Sequence, residues 1–527
     1  MNTNYEGQRL SRFARAATAL LLGAALSCLL LLLLLAFPAL TFDRKRTAYA
    51  SLWPMAASGV CIAMALAFAA RGLMQTLFRR RRLRAPAIAA GCAALLCLQA
   101  VLWYFSYFIA GWDLVSTLKS AYAIAGGDEL IDNYYLSLYP NNALLTLFFG
   151  GVMKLFRLVT GGARLDRCVY ALILVQCAVN SATAYVTTRV AQVGMKSDQA
   201  AAAVFFTYAA FTGISPWMIV PYSDCMGLIV PVSVLRLYQM NAERERAWIW
   251  PAIGLLTFIG WSIKPQAVIA TIAVLMLEGA RLLDIKKGFT WIKRALCVLL
   301  IALVGIGPVT QWILDASPIE LREGKSIGGL HYVMMGLNPE SNGVYRDEDM
   351  ILSASAPDPA SRSAAQMEKI KERVAAMDGR DWAKHLAKKA MSNFADAPVI
   401  WSEGGVTCWQ AIENKDDTIS PALKALLGVE NGRMMSPLFV YFESVWLALL
   451  AFALAACAAS GRAIAGGRQQ DWIFAAMLAV FGLMLFQMIF EAGNRYFMIY
   501  TPFVVLLAVY GLRASMRRIS EIRRGRA

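Results

Sequence analysis

Long apolar runs separated by short polar clusters dominate this chain. Residues 17–40 and 87–111 carry no charge at all. Each is long enough to cross roughly 30 Å of hydrocarbon as a helix. The same pattern predicts spans near 17–39, 50–71, 87–110, 167–189, 199–214, 219–238, 247–263, 265–281, 293–313, 436–458, 471–490 and 496–513. The expected fold is therefore an all-α polytopic membrane protein with about twelve transmembrane helices. The first run is too long for a cleavable signal peptide and lacks an obvious small-residue cleavage site.

One stretch, 141–159, is apolar enough to cross, but crossing would move every later loop to the other side. The alternative of one long helix over 247–281 is disfavoured, because Lys264 and Pro265 interrupt it. We therefore expect 141–159 to lie along the outer surface as a juxtamembrane helix. Arg157, Arg164 and Arg167 pull the other way, toward a crossing.

The pattern changes sharply over 314–436, where charges, Gly, Asn and Pro replace long apolar runs. Within it, 361–377 and 382–394 read as amphipathic helices. The organisation expected is two N-terminal spans (1–86), a transmembrane core (87–313) with a first outer loop at 111–166, an extracytoplasmic loop domain (314–436), and C-terminal spans with a basic tail (437–527). No internal repeat is visible, which counts against a transporter built from two halves.

Charge orients this threading. The net charge is +16 and charged residues make up only 16% of the chain. In such an apolar protein the excess of Lys and Arg marks cytoplasmic loops attracted to anionic lipid, and nucleic acid is not an expected partner. With both termini cytoplasmic, the inside segments hold the 79–84 arginine run, Arg189, Lys196, Arg244, Arg246, Lys286, Lys287, Lys293, Arg294, Arg462, Arg468 and the tail. The outer loop with Arg44, Lys45 and Arg46 breaks the rule. Most of the ten cysteines sit inside apolar runs and act as small hydrophobes. Two histidines, His331 and His385, and no CxxC spacing argue against a multi-histidine or zinc site.

Five clusters then fall on the outer side. Asp113 ends the third span; a lone carboxylate there is ordinarily just solvated. Here Tyr104, Tyr107 and Trp112 precede it, Asp128, Glu129 and Asp132 follow, and Tyr139, Pro140, Asn141 and Asn142 lead into the surface helix. Carboxylates accept from sugar hydroxyls and aromatic faces stack on sugars, and a general base needs such a group. Tyr222, Ser223 and Asp224 open a span, as a helix cap or as a site. Lys264 is an ammonium beside proline between apolar runs, either snorkelling or holding an anion. Arg495, near Glu491 and Tyr496, is a natural fork for phosphate or one half of a surface ion pair. His331 and Asn338 lie in a polar loop with Asn342, Tyr345 and Asp347, followed farther on by Asn393, Trp401 and Glu403. Such a loop could cover a site.

These residues resemble the GT-C superfamily of integral membrane glycosyltransferases, most closely bacterial family 39-type enzymes that use polyprenyl-phosphate sugars. The similarity rests on Asp113 in the first outer loop, Tyr139 and Pro140 before the surface helix, PYSD at 221–224, IKP at 263–265, HYVMMGLN at 331–338 and RYFMIYTP at 495–502. It spans roughly 87–513 and is diffuse. It implies inverting transfer of a sugar from a polyprenyl phosphate to an extracytoplasmic acceptor: a cell-envelope glycan, lipid or protein. Asp113 would be the base; Lys264 and Arg495 would hold the donor phosphate. Asp128, Glu129, Tyr139, Asn141, Asn142, Tyr222, Asp224, His331, Asn338, Glu491 and Tyr496 would contact substrate. A divalent cation is the one cofactor the resemblance suggests, yet the first loop has no DxD, and Asp128-Glu129 is its nearest acidic pair. The alternatives are a lipid-linked sugar flippase, and an O-antigen-type polymerase or ligase working through His331 and Arg346.

Overall fold

The computed structural model describes residues 85–107, 109, 113–284, 288–400, 437–465 and 471–525. The expected spans 17–39 and 50–71, the 79–84 run, Trp112, Trp401, Glu403 and Cys408 lie outside the described residues. Every extended element among those described is helical. Among the described residues eight stretches are long and apolar enough to cross a membrane, and 140–160 is one of them.

The chain runs back and forth between two ends of a helix bundle. Helix α1 (Ala85–Tyr104) is followed by α2 (Asp113–Ile124), α3 (Asn133–Leu138) and α4 (Ala143–Thr160). The long α5 (Leu165–Met195) returns antiparallel to α1. Its start meets the end of α1: Tyr170 donates to the Ala100 carbonyl at 2.8 Å and its ring packs on Tyr104 and Tyr107. The excursion 105–164 thus leaves and rejoins the bundle at one end. Within it α4 buries Leu145, Thr146, Phe149, Gly150 and Met153, mainly against α2, and exposes Phe148, Leu155, Leu158 and Val159.

From there α6 (Asp198–Tyr208) leads through a π-helical turn, Ala209–Gly213, to a broken segment holding α7 (Ser223–Met226). Next come α8 (Ile229–Glu243), α9 (Ile249–Ile263), α10 (Ile269–Asp284) and α11 (Gly288–Val304), which continues through a π-turn into α12 (Thr310–Asp315). The single helix expected over 219–238 is broken: Pro221 removes a backbone donor there, only the short α7 follows, and long helix resumes at Ile229.

The loop domain contains α13 (Gly328–Gly336), α14 (Asp347–Ala354), α15 (Pro359–Ala376) and α16 (Gly379–Phe394). The last two match the amphipathic helices read from the sequence, and both start at aspartates. Asp358 accepts from the amides of Ala360 and Ser361, and Asp378 from those of Arg380 and Asp381. The chain ends in α17 (Pro437–Ala465), α18 (Asp471–Ile489) and α19 (Thr501–Arg523).

Helices α17 and α19 pack closely because Gly511 has no side chain. A Cβ there would overlap the Phe452 carbonyl and stand 2.6 Å from the Ala456 nitrogen. Gly511→Ala should therefore destabilise the bundle by about 1–3 kcal/mol, as overpacking does. A lowered thermal midpoint in detergent checks this; an unchanged midpoint refutes the tight α17–α19 contact.

Candidate functional site at one end of the bundle

Proline decides where the helices break. Lys264 is extended (φ −157°, ψ 111°), as expected for a residue before proline, and separates α9 from α10. Pro140 opens the 3₁₀ turn that ends at Asn142. Arg495 lies in a 3₁₀ segment, Asn494–Tyr500, just before Pro502. All these breaks fall at the end where α1 meets α5. Thr212 and Thr501 hydroxyls are 3.0 Å apart, and the Tyr500 hydroxyl donates to Gln266 O at 2.9 Å. The basic helix ends gather at the other end, where Arg513 donates to Met195 O and Arg294 pairs with Glu278 and Glu245.

Irregular backbone inside an apolar bundle needs its polar groups satisfied. Two amides one turn apart on α5 do this. Gln176 donates to the carbonyls of Trp217, Met218 and Val220 and accepts from the Tyr222 amide. Asn180 donates to Thr212 O and accepts from Tyr208. Gln99 from α1 caps Gly213 O at 2.6 Å. None of the three was a candidate from sequence, although amides spaced i, i+4 in an apolar helix are a usable signal.

The result is a cluster of charged and aromatic side chains. Asp224, 3% exposed, pairs with Lys264, itself 5% exposed, and its second oxygen lies 3.7 Å from Arg495. The cap reading of Asp224 is not realised here. The residue is an ion-pair partner, since no side chain caps α7. Lys264 lies over the Tyr496 ring at 4.6 Å, and Arg495 over Tyr222 and Tyr496 at 5.7 and 5.2 Å. Cation–π contact stabilises both cations where water is scarce.

Asp113 joins the cluster from the first turn of α2 and is partly exposed. Burial pushes its carboxyl above the ordinary value, and the nearby Arg495 opposes this. Glu491 faces the same centre. Burial raises it too, against Arg495 and a hydrogen bond from Tyr496. The hydroxyls of Tyr139 and Tyr332 lie in the field of both carboxylates, and burial is the main cause of their upward shift. Asn142 is buried and donates to the hydroxyls of Tyr135 and Tyr222 at 2.6 and 3.5 Å.

Other expected contacts are not brought in. Asp128 and Glu129 follow the end of α2, whereas Asp113 stands in its first turn. Asp128 is exposed and Glu129 pairs with Lys119 at 3.7 Å. Asp132 caps α3. Asn141 is exposed and turns toward Asn142. His331 points into the loop domain, where Ser353 meets its Nδ1 at 2.8 Å and burial lowers its pKa to about 4. Asn338 is likewise internal, donating to Asp349. Tyr332 and Tyr135 take the places at the cluster, and neither was a candidate. A one-residue step on a helix turns a side chain by about 100°, which separates His331 from Tyr332. Among the described residues no three His, Cys, Asp or Glu side chains stand together as a metal site. A cavity of about 10 Å³ between α17, α18 and α19 is lined only by apolar side chains, among them Phe394, Trp446 and Phe497. It has room for one water at most and none of the charged groups reaches it.

Residues 11–516 match the model of a protein family described as a conserved hypothetical integral membrane protein. No curated protein and no solved structure matches the chain.

Proposed function

We propose that this chain, which belongs to the conserved hypothetical integral membrane protein family, is a glycosyltransferase that moves a sugar from a polyprenyl phosphate to a hydroxyl acceptor. One observation carries the reading: a partly exposed carboxylate, Asp113, shares one end of the bundle with two cations, Lys264 and Arg495. Base and leaving-group stabiliser are the two functions that direct sugar transfer from a phosphate needs.

In this mechanism Asp113 takes the proton of the acceptor hydroxyl. The oxygen attacks the anomeric carbon from the face opposite the phosphate. The C–O bond to phosphate breaks, its electron pair leaves with the phosphate, and the configuration inverts. Asp224 holds Lys264 and Arg495 together by its two oxygens. The cations are thereby preorganised for the charge that grows on the leaving group. Glu491, Tyr139 and Tyr332 stand where sugar hydroxyls and ring faces would be recognised.

Charge asymmetry supports an extracytoplasmic site, because Arg189, Lys196, Arg244, Arg246 and Arg513–Arg524 belong to the opposite end. The excursion 105–164 begins and ends on one side, so its crossings must be even in number. Helix α2 is too short to cross, at roughly 18 Å. This favours the threading proposed from sequence, with α4 lying along the surface.

The test is transfer of labelled sugar from a panel of polyprenyl-phosphate sugars by the full-length chain in nanodiscs. The acid limb of kcat/KM should lie above the ordinary aspartate range of about 4, because Asp113 must be ionised and burial raises its pKa. An activity flat down to pH 4 refutes Asp113 as the base. One observation favours a lipid-linked sugar flippase instead. A second ion network, with Glu278 buried between Arg281 and Arg294 and Arg294 reaching the exposed Glu245, closes the opposite end, as a second gate would. Translocation in vesicles without sugar transfer would establish that reading. A ligase working through His331 and Arg346 has less support, since His331 is buried on Ser353 and Arg346 is exposed at the start of α14.

A further inference from the structure

The turn between α18 and α19 carries Glu491 and Arg495, and the loop domain grips it. We infer that Asn393, at the end of α16, is the positioning residue that sets Arg495 against the donor phosphate; this rests on the proposed role of Arg495. Asn393 is 1% exposed. Its Oδ1 accepts from the Gly493 amide at 2.9 Å, and its Nδ2 donates to Gln487 O at 3.2 Å. Gln487 closes the ring by donating to Gly493 O at 3.1 Å. Gly493 immediately precedes the 3₁₀ segment that bears Arg495, so fixing its amide fixes where that segment starts.

A second contact comes from the other side of the turn. Ala492 donates to Gly343 O at 2.7 Å. Gly343 is itself tied to Asn338 O at 2.9 Å. The end of α13 presses on the same turn. A Cβ on Gly336 would overlap the Ile489 carbonyl and lie 2.6 Å from that of Phe490. The buried Lys389 donates to Gly336 O at 2.6 Å and holds this seat from beneath.

The grip is anchored to the bundle. Trp446 of α17 donates to Phe394 O, and the Ala397 amide donates to Glu443 of α17. Asn494 in turn reaches Ala397 O at 3.4 Å. A continuous path of hydrogen bonds therefore leads from α17 through 393–397 to the backbone next to Arg495. The stretch 331–343 and Asn393, which sequence alone suggested as a cover for the site, build the seat of one site residue.

The experiment compares wild type, Asn393→Ala and Arg362→Ala as full-length chains in nanodiscs. Arg362 is a control, because its bonds to the Ser353, Gly324 and Ser326 carbonyls stabilise the loop domain away from the turn. Two readouts are taken: amide hydrogen exchange across 487–498, and affinity for undecaprenyl phosphate. Asn393→Ala should speed exchange in that segment and weaken the lipid phosphate by about tenfold, the scale of one lost hydrogen bond. Arg362→Ala should leave both near wild type. Unchanged exchange at 487–498 in Asn393→Ala, or faster exchange spread evenly over 316–400, overturns the inference. Faster local exchange in a protein that never binds undecaprenyl phosphate upholds the grip on the turn and overturns the donor assignment. Should Asn393→Ala not fold, Asn393→Asp keeps the acceptor for Gly493, loses the donor to Gln487, and should show the same local change at smaller amplitude.

Discussion

Asp113→Asn is expected to lower sugar transfer by about 10²–10⁴-fold, the range for loss of a general base. The structural cost should be much smaller. Asp113 sits in the first turn of α2, where its charge favours the helix by about 0.3–1 kcal/mol, and asparagine is nearly isosteric. A thousandfold loss corresponds to roughly 4 kcal/mol, so chemistry and folding separate clearly in size. Binding of undecaprenyl phosphate should be nearly unchanged, because Asp113 is assigned to the acceptor and not to the phosphate. Single-turnover transfer rates and lipid binding on the same preparation check both halves. Full activity in Asp113→Asn would sink the assignment.

The second large effect is expected at Lys264. Its ammonium pairs with Asp224, and both are buried. Lys264→Met would leave the Asp224 carboxylate with Arg495 at 3.7 Å as its remaining ion-pair contact. Breaking one side of a buried pair costs about 3–5 kcal/mol, mostly because the other charge stays desolvated. The variant should therefore express poorly or melt early. Lys264→Met combined with Asp224→Leu removes both charges and should recover most of the folded protein, since replacing a whole buried pair by apolar groups is often neutral. Transfer should stay lost in the double variant, because one of the two phosphate-facing cations is gone. Size-exclusion profiles and thermal midpoints report the fold, and the transfer assay reports the site. A double variant that folds and transfers at the wild-type rate would remove Lys264 from the mechanism and leave it a structural ion.

Much of the architecture was legible in the chain because it depends on local physics. Apolar runs set the span lengths, and α5, α9, α18 and the two amphipathic helices of the loop domain begin or end within a few residues of where the pattern placed them. Pro140 and Pro265 announced the breaks before Asn142 and at Lys264, since a missing backbone donor acts at its own site in the chain, whereas the break near Tyr222 was read as part of one continuous span. The acid–cation character of one end was visible as well, in Asp113, Asp224, Lys264, Glu491 and Arg495.

Partnership was not legible. Asp224 read from sequence as a cap or as a site residue, and its pairing with Lys264 was not foreseen, because Lys264, forty positions away, is brought beside it by the packing of α8 and α9. The first loop offered four acids with no local reason to rank them. Only the docking of α2 turns Asp113 toward Arg495, while Asp128 stays exposed and Glu129 folds back onto Lys119. The same holds for Tyr332 over His331, and for Gln176 and Asn393, whose amides serve backbone groups in distant segments. Periodicity and composition determined that these helices exist, how long they are and where they break. Which side chains meet was decided by how the helices rotate and pack against one another, because a contact between distant positions depends on the relative placement of two backbones, which neither segment encodes alone.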